Sequence, residues 1–119
     1  MNNKIEAKIY SFLGLAARAG KIVSGDDSTL LELKRGNVKL VIIAEDASKN
    51  TKKLFKDKSS YRHIPYEHFS TKLQIGLAIG KAPRAVVGIK DAGFAKKINE
   101  LLETLEKPEV SETPEIPKI

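Results

Sequence analysis

Apolar residues recur at helical spacing at the start of the chain. Ile5, Ile9, Phe12, Leu13 and Ala16 fall on one face and predict a first helix with one buried side, ending near Gly20. Ile22-Val23 is a short strand. Ser24-Gly25-Asp26-Asp27 offers N-cap chemistry for a second helix that runs through Leu30, Leu31 and Leu33 to Gly36. Val38-Lys39-Leu40-Val41-Ile42-Ile43-Ala44 is nearly all apolar and rich in β-branched residues, the mark of a central strand covered on both faces. Glu45-Asp46-Ala47-Ser48 leads into a third helix, with Thr51, Leu54 and Phe55 inward and Lys49, Lys52, Lys53, Lys56 and Lys58 mostly outward. His63-Ile64-Pro65-Tyr66 predicts a short strand that Pro65 confines to an edge or an end. Ser70 is the expected cap of a fourth helix through Leu73 and Leu77, closed by Gly80. Ala85-Val86-Val87-Gly88-Ile89 predicts a second buried strand. The last helix spans about Ala92 to Glu106, with Phe94, Ile98, Leu101, Leu102 and Leu105 on one stripe.

Helices and short strands alternate throughout, so the expected class is α/β, a three-layer α-β-α sandwich with a small mixed sheet. Residues 1–106 are expected to form a single domain. In residues 107–119, Pro108, Pro114 and Pro117 alternate with Glu109, Glu112 and Glu115, and an acidic, disordered tail is expected.

Composition narrows the function classes. The 119 residues fit one domain and contain no cysteine, which excludes disulfides and thiolate metal sites. His63 and His68 alone give no metal signature. No apolar run approaches a membrane span, and the N-terminus lacks an apolar signal core, so a cytoplasmic protein with no membrane partner is expected. The net charge of +6 is uneven: residues 1–98 carry 19 Lys/Arg against 9 Asp/Glu, and residues 99–119 carry 2 against 6. The folded part is therefore strongly basic, which favours an anionic partner, RNA first.

Four segments stand out as candidate sites. The start of the second helix, at Ser24-Gly25-Asp26-Asp27-Ser28, presents unpaired N–H groups and a positive dipole end, and ordinary capping accounts for the same residues. Glu45-Asp46 follows the central strand, where ligands gather in open α/β sheets, although a loop that caps the next helix is the stronger explanation of these carboxylates. Gly76-Leu77-Ala78-Ile79-Gly80-Lys81-Ala82-Pro83-Arg84 is too short between its glycines for a Walker motif and has Ala82 after Lys81. Lys81 and Arg84 instead flank a small apolar loop tip, a combination suited to a phosphate beside a base. The lysine-rich third helix reads by itself as a solvated face. No nucleophile–base pair, metal set or cofactor fingerprint is present, so neither catalysis nor a cofactor is expected.

Taken in order, Leu13-Gly14-Leu15-Ala16-Ala17-Arg18-Ala19-Gly20-Lys21, Val23-Ser24-Gly25, Lys39 through Ser48, Ile75-Gly76-Leu77-Ala78-Ile79-Gly80 and Asp91-Ala92-Gly93-Phe94-Ala95 resemble the L-seven-Ae ribosomal protein family, in its bacterial YlxQ-like branch. The likeness covers about residues 4–105. It implies an α-β-α sandwich that binds structured RNA, classically a kink-turn, with ribosomal RNA and ribosome or translation-factor proteins as expected partners. It further implies that the second-helix tip (Gly25, Asp26, Asp27, Ser28, Leu31) reads bases and that Ile79, Ala82 and Pro83 cover an extruded one. Lys21, Lys34, Arg35, Lys81 and Arg84 would neutralise phosphates, and Glu45 is counted with them among the expected RNA-binding residues. The sequence departs from the family pattern Gly-Thr-Asn-Glu with a following Lys. Asp27 replaces Asn and loses an amide donor, Ser28 replaces Glu, and Leu31 replaces Lys. Each lost base contact removes roughly 1–3 kcal/mol of discrimination. The alternative reading is a protein-interaction module on the same fold with weak or lost kink-turn binding.

Overall fold

The computed structural model describes residues 2–106. Five helices and four strands alternate: α1 (Asn2–Arg18), β1 (Ile22–Ser24), α2 (Asp26–Lys34), β2 (Leu40–Ile43), α3 (Lys49–Tyr61), β3 (Tyr66–His68), α4 (Lys72–Ile79), β4 (Val86–Ile89) and α5 (Ala92–Glu106). The expected tail, 107–119, lies outside the described residues.

The strands form one mixed sheet in the order β1-β4-β2-β3. β4 is antiparallel to both β1 and β2, and β2 is parallel to β3. Every residue of β2 and β4 is buried, which is why these two runs carry no polar alternation and occupy the middle of the sheet. Helix α1 packs on both α4 and α5, and α2 packs on α3, with the sheet between the two groups. The core joins Ile9, Leu13, Leu33, Phe55, Ile75 and Ile98 to the central strands. Burying each such side chain contributes roughly 1.5–3 kcal/mol.

Three local features depart from the sequence expectation. The third strand covers Tyr66–His68 rather than residues 63–66. His63 adopts a left-handed φ of 57°, and Pro65, with no N–H to donate, offers only its carbonyl, which accepts from the Val41 amide at 3.0 Å. The strand is nonetheless at the sheet edge. Thr71, not Ser70, caps α4, its side chain accepting from the Gln74 amide at 3.2 Å. Ser70 has a left-handed φ of 66° and shares a 2.6 Å hydrogen bond with the Tyr10 hydroxyl instead. The third departure concerns α2. Its N-cap is Gly25, and no side chain closes the first turn despite the neighbouring Ser and Asp residues.

Candidate nucleic-acid interface

The α2 tip and the loop after α4 meet at one pole of the molecule. Gly25 donates its amide to the Val86 carbonyl at 3.0 Å, which hangs the start of α2 on the start of β4. Arg84 locks the two elements together. Its Nε donates to Ser24 Oγ at 3.0 Å, and one of its terminal nitrogens donates to the Ala82 and Pro83 carbonyls at 3.2 Å each. A cationic side chain thus bridges the residue before the helix tip and the loop.

The loop is stiff for a chain of reasons legible in its residues. Gly80 takes the left-handed conformation (φ 76°) that closes α4, and the Lys81 amide then reaches back to the Gly76 carbonyl at 2.8 Å. Residues 81 and 82 lie flat on the helix because Gly76 has no side chain. A Cβ there would stand 2.3 Å from the Ala82 carbonyl oxygen. Farther along, Arg84 donates its amide to the Lys72 carbonyl at 3.0 Å. Ala82 and Pro83 are left exposed at the tip beside Lys81.

Among the residues expected here, Gly25, Asp26, Asp27, Ser28, Lys81, Ala82, Pro83 and Arg84 come together. Asp26, Asp27 and Ser28 are exposed, and Asp26 accepts from the Thr51 hydroxyl of α3 at 3.1 Å. Leu31 lies one turn beyond Asp27 on the same face and is 47% exposed.

Other expected members are placed differently. Ile79 is only 7% exposed and belongs to the core, reaching the surface only in a hollow it shares with Ser24, Gly80 and Lys81; Leu73 and Leu77, 54% and 63% exposed, are the apolar residues of α4 that face outward. Glu45 turns away into a hollow it shares with Glu6, Tyr10, His68 and Ser70, while its neighbour Asp46 accepts from the Lys72 amide at 2.9 Å. Lys21, Lys34 and Arg35 sit at the opposite pole, where β1 begins and α2 ends. Arg35 there pairs with Glu32 at 3.3 Å. A hydrogen bond from Asn37 holds the Glu32 carboxyl below the usual carboxylate range; partial burial opposes this, and the charges of Arg35 and Lys90 add to it.

Sequence reasoning missed Ser24 as the partner of Arg84, and it missed Arg18. Arg18 lines a hollow of about 490 Å³ together with Gly14, Ser24, Leu77, Gly80 and Lys81, next to the clasp. Only the packing of α1 against α4 brings these together; no local signal marks them.

An α-β-α sandwich with a helix tip bolted to a stiff cationic loop defines a compact class of fold, and the chain belongs to it by sequence as well. It is a member of the ribosomal protein L7Ae/L30e/S12e/Gadd45 family, whose model matches residues 7–99. It is similar to the RNA-binding protein YlxQ of Enterococcus faecium, 46% identical over 103 residues that span 87% of this chain and 99% of that one. The RNA-binding protein YlxQ of Bacillus subtilis is 44% identical over 94 residues, 79% of this chain and 94% of its own. A solved structure of a protein with unknown function from Bacillus halodurans C has a TM-score of 0.80 at 41% identity, covering 82% of this chain and 98% of that one.

Proposed function

We propose that this chain is a non-catalytic RNA-binding protein of ribosomal type that grips sharply bent, kink-turn-like RNA in the cytoplasm, in association with ribosomes or translation. One observation carries the reading: Arg84 ties the residue before an uncapped helix tip to an exposed Ala82-Pro83 turn, so unpaired amides, a cation and a small apolar surface lie close together. Unpaired amides and the cation suit phosphate oxygens, and the turn suits the flat face of an unstacked base. Similarity to proteins named as RNA-binding supports the same reading.

The departures at the tip set its limits. Asp27 offers only acceptors, and Leu31 offers neither donor nor charge. Recognition then rests on the shape of the bend more than on base edges.

The test is a panel of labelled RNAs of equal length, some with an internal kink and some fully paired, titrated at two salt concentrations. Preference for the kinked members, with affinity falling steeply as salt rises, is the expected result. Equal weak affinity for all of them sinks the reading.

The exposure of Leu31 favours one second reading, a protein-interaction module in which that side chain meets an apolar partner surface. A partner that stays bound after nuclease treatment and is lost in Leu31→Lys would favour it.

A further inference from the structure

We propose that the chain carries a second contact for the RNA phosphate backbone, a row of three lysines at the sheet end opposite the clasp. It rests on the RNA reading above and extends the surface along the whole of α2.

Lys21 immediately precedes β1, Lys39 immediately precedes β2, and Lys90 immediately follows β4. β4 lies between the other two strands, and Ile89 is level with both Ile22 and Leu40. The three lysines therefore stand side by side at one end of the sheet. Two backbone bonds fix the row: the Lys90 amide donates to the Lys21 carbonyl at 2.8 Å, and the Lys39 amide donates to the Ile89 carbonyl at 2.7 Å. Residues level on adjacent strands are about 5 Å apart, where like charges repel. The fold roots three lysine side chains next to one another, an arrangement that favours an anion among their charges.

All three side chains are exposed and line one hollow of about 330 Å³ with Gly20, Gly36 and Asn37. Gly20 and Gly36 take left-handed turns, with φ of 74° and 81°, and nothing lies within 4 Å of where their Cβ atoms would be, so the floor is open. Lys34 and Arg35 close the last turn of α2 beside it. Two nearby carboxylates are already engaged. Glu32 accepts from Asn37 at 2.8 Å and from Arg35 at 3.3 Å, and Asp91 accepts from the Phe94 amide at 2.8 Å. Cations outnumber carboxylates here.

The length of α2 selects a polymer rather than a small ion. Nine residues at 1.5 Å each separate this row from the helix tip by about 14 Å. A free phosphate cannot span that distance, whereas a rigid duplex leaving the bend can lie along the helix and meet both poles. Backbone contacts of this kind add affinity and register without reading sequence.

The experiment compares the full chain with its Lys21→Gln/Lys39→Gln/Lys90→Gln variant, using a kinked RNA with a full duplex turn on each side and a straight duplex of equal length. Each phosphate contact contributes about 0.7–0.9 to the slope of log affinity against log salt. The variant is expected to lose about two units of slope and to bind about a hundredfold more weakly near 0.1 M salt. Its preference for kinked over straight RNA is expected to persist, because the clasp is untouched. A slope unchanged from the parent overturns the inference while leaving the clasp reading intact. Parent binding without any preference for the kink, but with the lysine-dependent slope, overturns the clasp reading alone. No binding by the parent overturns both. The variant is expected to melt no lower than the parent in low salt, since repulsion is relieved; should it unfold, Lys39→Gln and Lys90→Gln, each alone, carry the same slope measurement.

Discussion

Replacing Gly76 by alanine tests how the loop is held. The added Cβ would lie 2.3 Å from the Ala82 carbonyl oxygen, 2.7 Å from its carbon and 2.9 Å from the Lys81 carbonyl oxygen. All three are backbone atoms, so no side chain can swing aside, and the 81–84 loop must lift by about 1 Å to reach ordinary van der Waals contact. Overpacking of this sort costs about 1–3 kcal/mol, and the backbone target places it near the upper end. Alanine regains about 1 kcal/mol of helix propensity, which leaves a net loss of about 2 kcal/mol. In a domain of this size that lowers the melting temperature by roughly 8–16 °C. Gly14→Ala is the built-in control. Its Cβ would stand 3.1 Å from the Ala78 carbonyl oxygen, so a shift of tenths of an ångström suffices and the propensity gain roughly cancels the cost. Thermal unfolding followed by circular dichroism measures both. If Gly76→Ala melts no lower than Gly14→Ala, the loop is not pinned as described. If the loop does lift, the Arg84–Ser24 bond lengthens with it, and affinity for kinked RNA falls alongside stability.

Three further outcomes follow from the same geometry. Asp27→Asn restores an amide donor at an exposed position and removes a negative charge, so affinity for a kink-turn RNA rises by roughly 1–3 kcal/mol; unchanged affinity in a titration removes Asp27 from the interface. Lys81→Ala weakens RNA binding evenly across sequences and lowers the salt slope by about one unit, and filter binding at several ionic strengths checks both effects. Glu32 has a folded pKa below its unfolded value, so its contribution to stability is present above the ordinary carboxylate range and disappears as pH falls through the depressed folded pKa. Stability curves of the parent and Glu32→Gln therefore converge in acid and separate towards neutrality, and urea titrations that stay parallel throughout contradict this.

The sheet was readable from the chain because its centre is extreme. β2 and β4 are buried on both faces, so their residues leave a run that no amphipathic element imitates. Helix α4 shows where such reading fails. Ile75 and Ile79 form one apolar stripe and Leu73 and Leu77 another, with the same spacing and the same chemistry. Hydropathy cannot say which stripe faces inward; packing against α1 and the sheet buries the isoleucines and leaves the leucines out. The cap of α4 was ambiguous for a similar reason, since Ser70 and Thr71 are both competent and only the left-handed turn at Ser70 decides between them. The two halves of the clasp were named from the sequence, but the bond from Arg84 to Ser24 spans sixty positions and depends on β1 and β4 lying side by side. Lys21, Lys34 and Arg35 illustrate the converse. They are close to the helix tip along the chain and a helix length away from it in space.

Gly25 leaves the first turn of α2 without the acceptor that a serine or aspartate in its place would bring, an omission that costs a helix a few tenths of a kcal/mol. On the proposed reading, an RNA phosphate completes that terminus. Amide protons of Asp27 and Ser28 should exchange quickly with solvent in the isolated protein and slow once an anion occupies the tip, and the occupied form should unfold at a higher temperature. On that reading the helix is finished by what it holds.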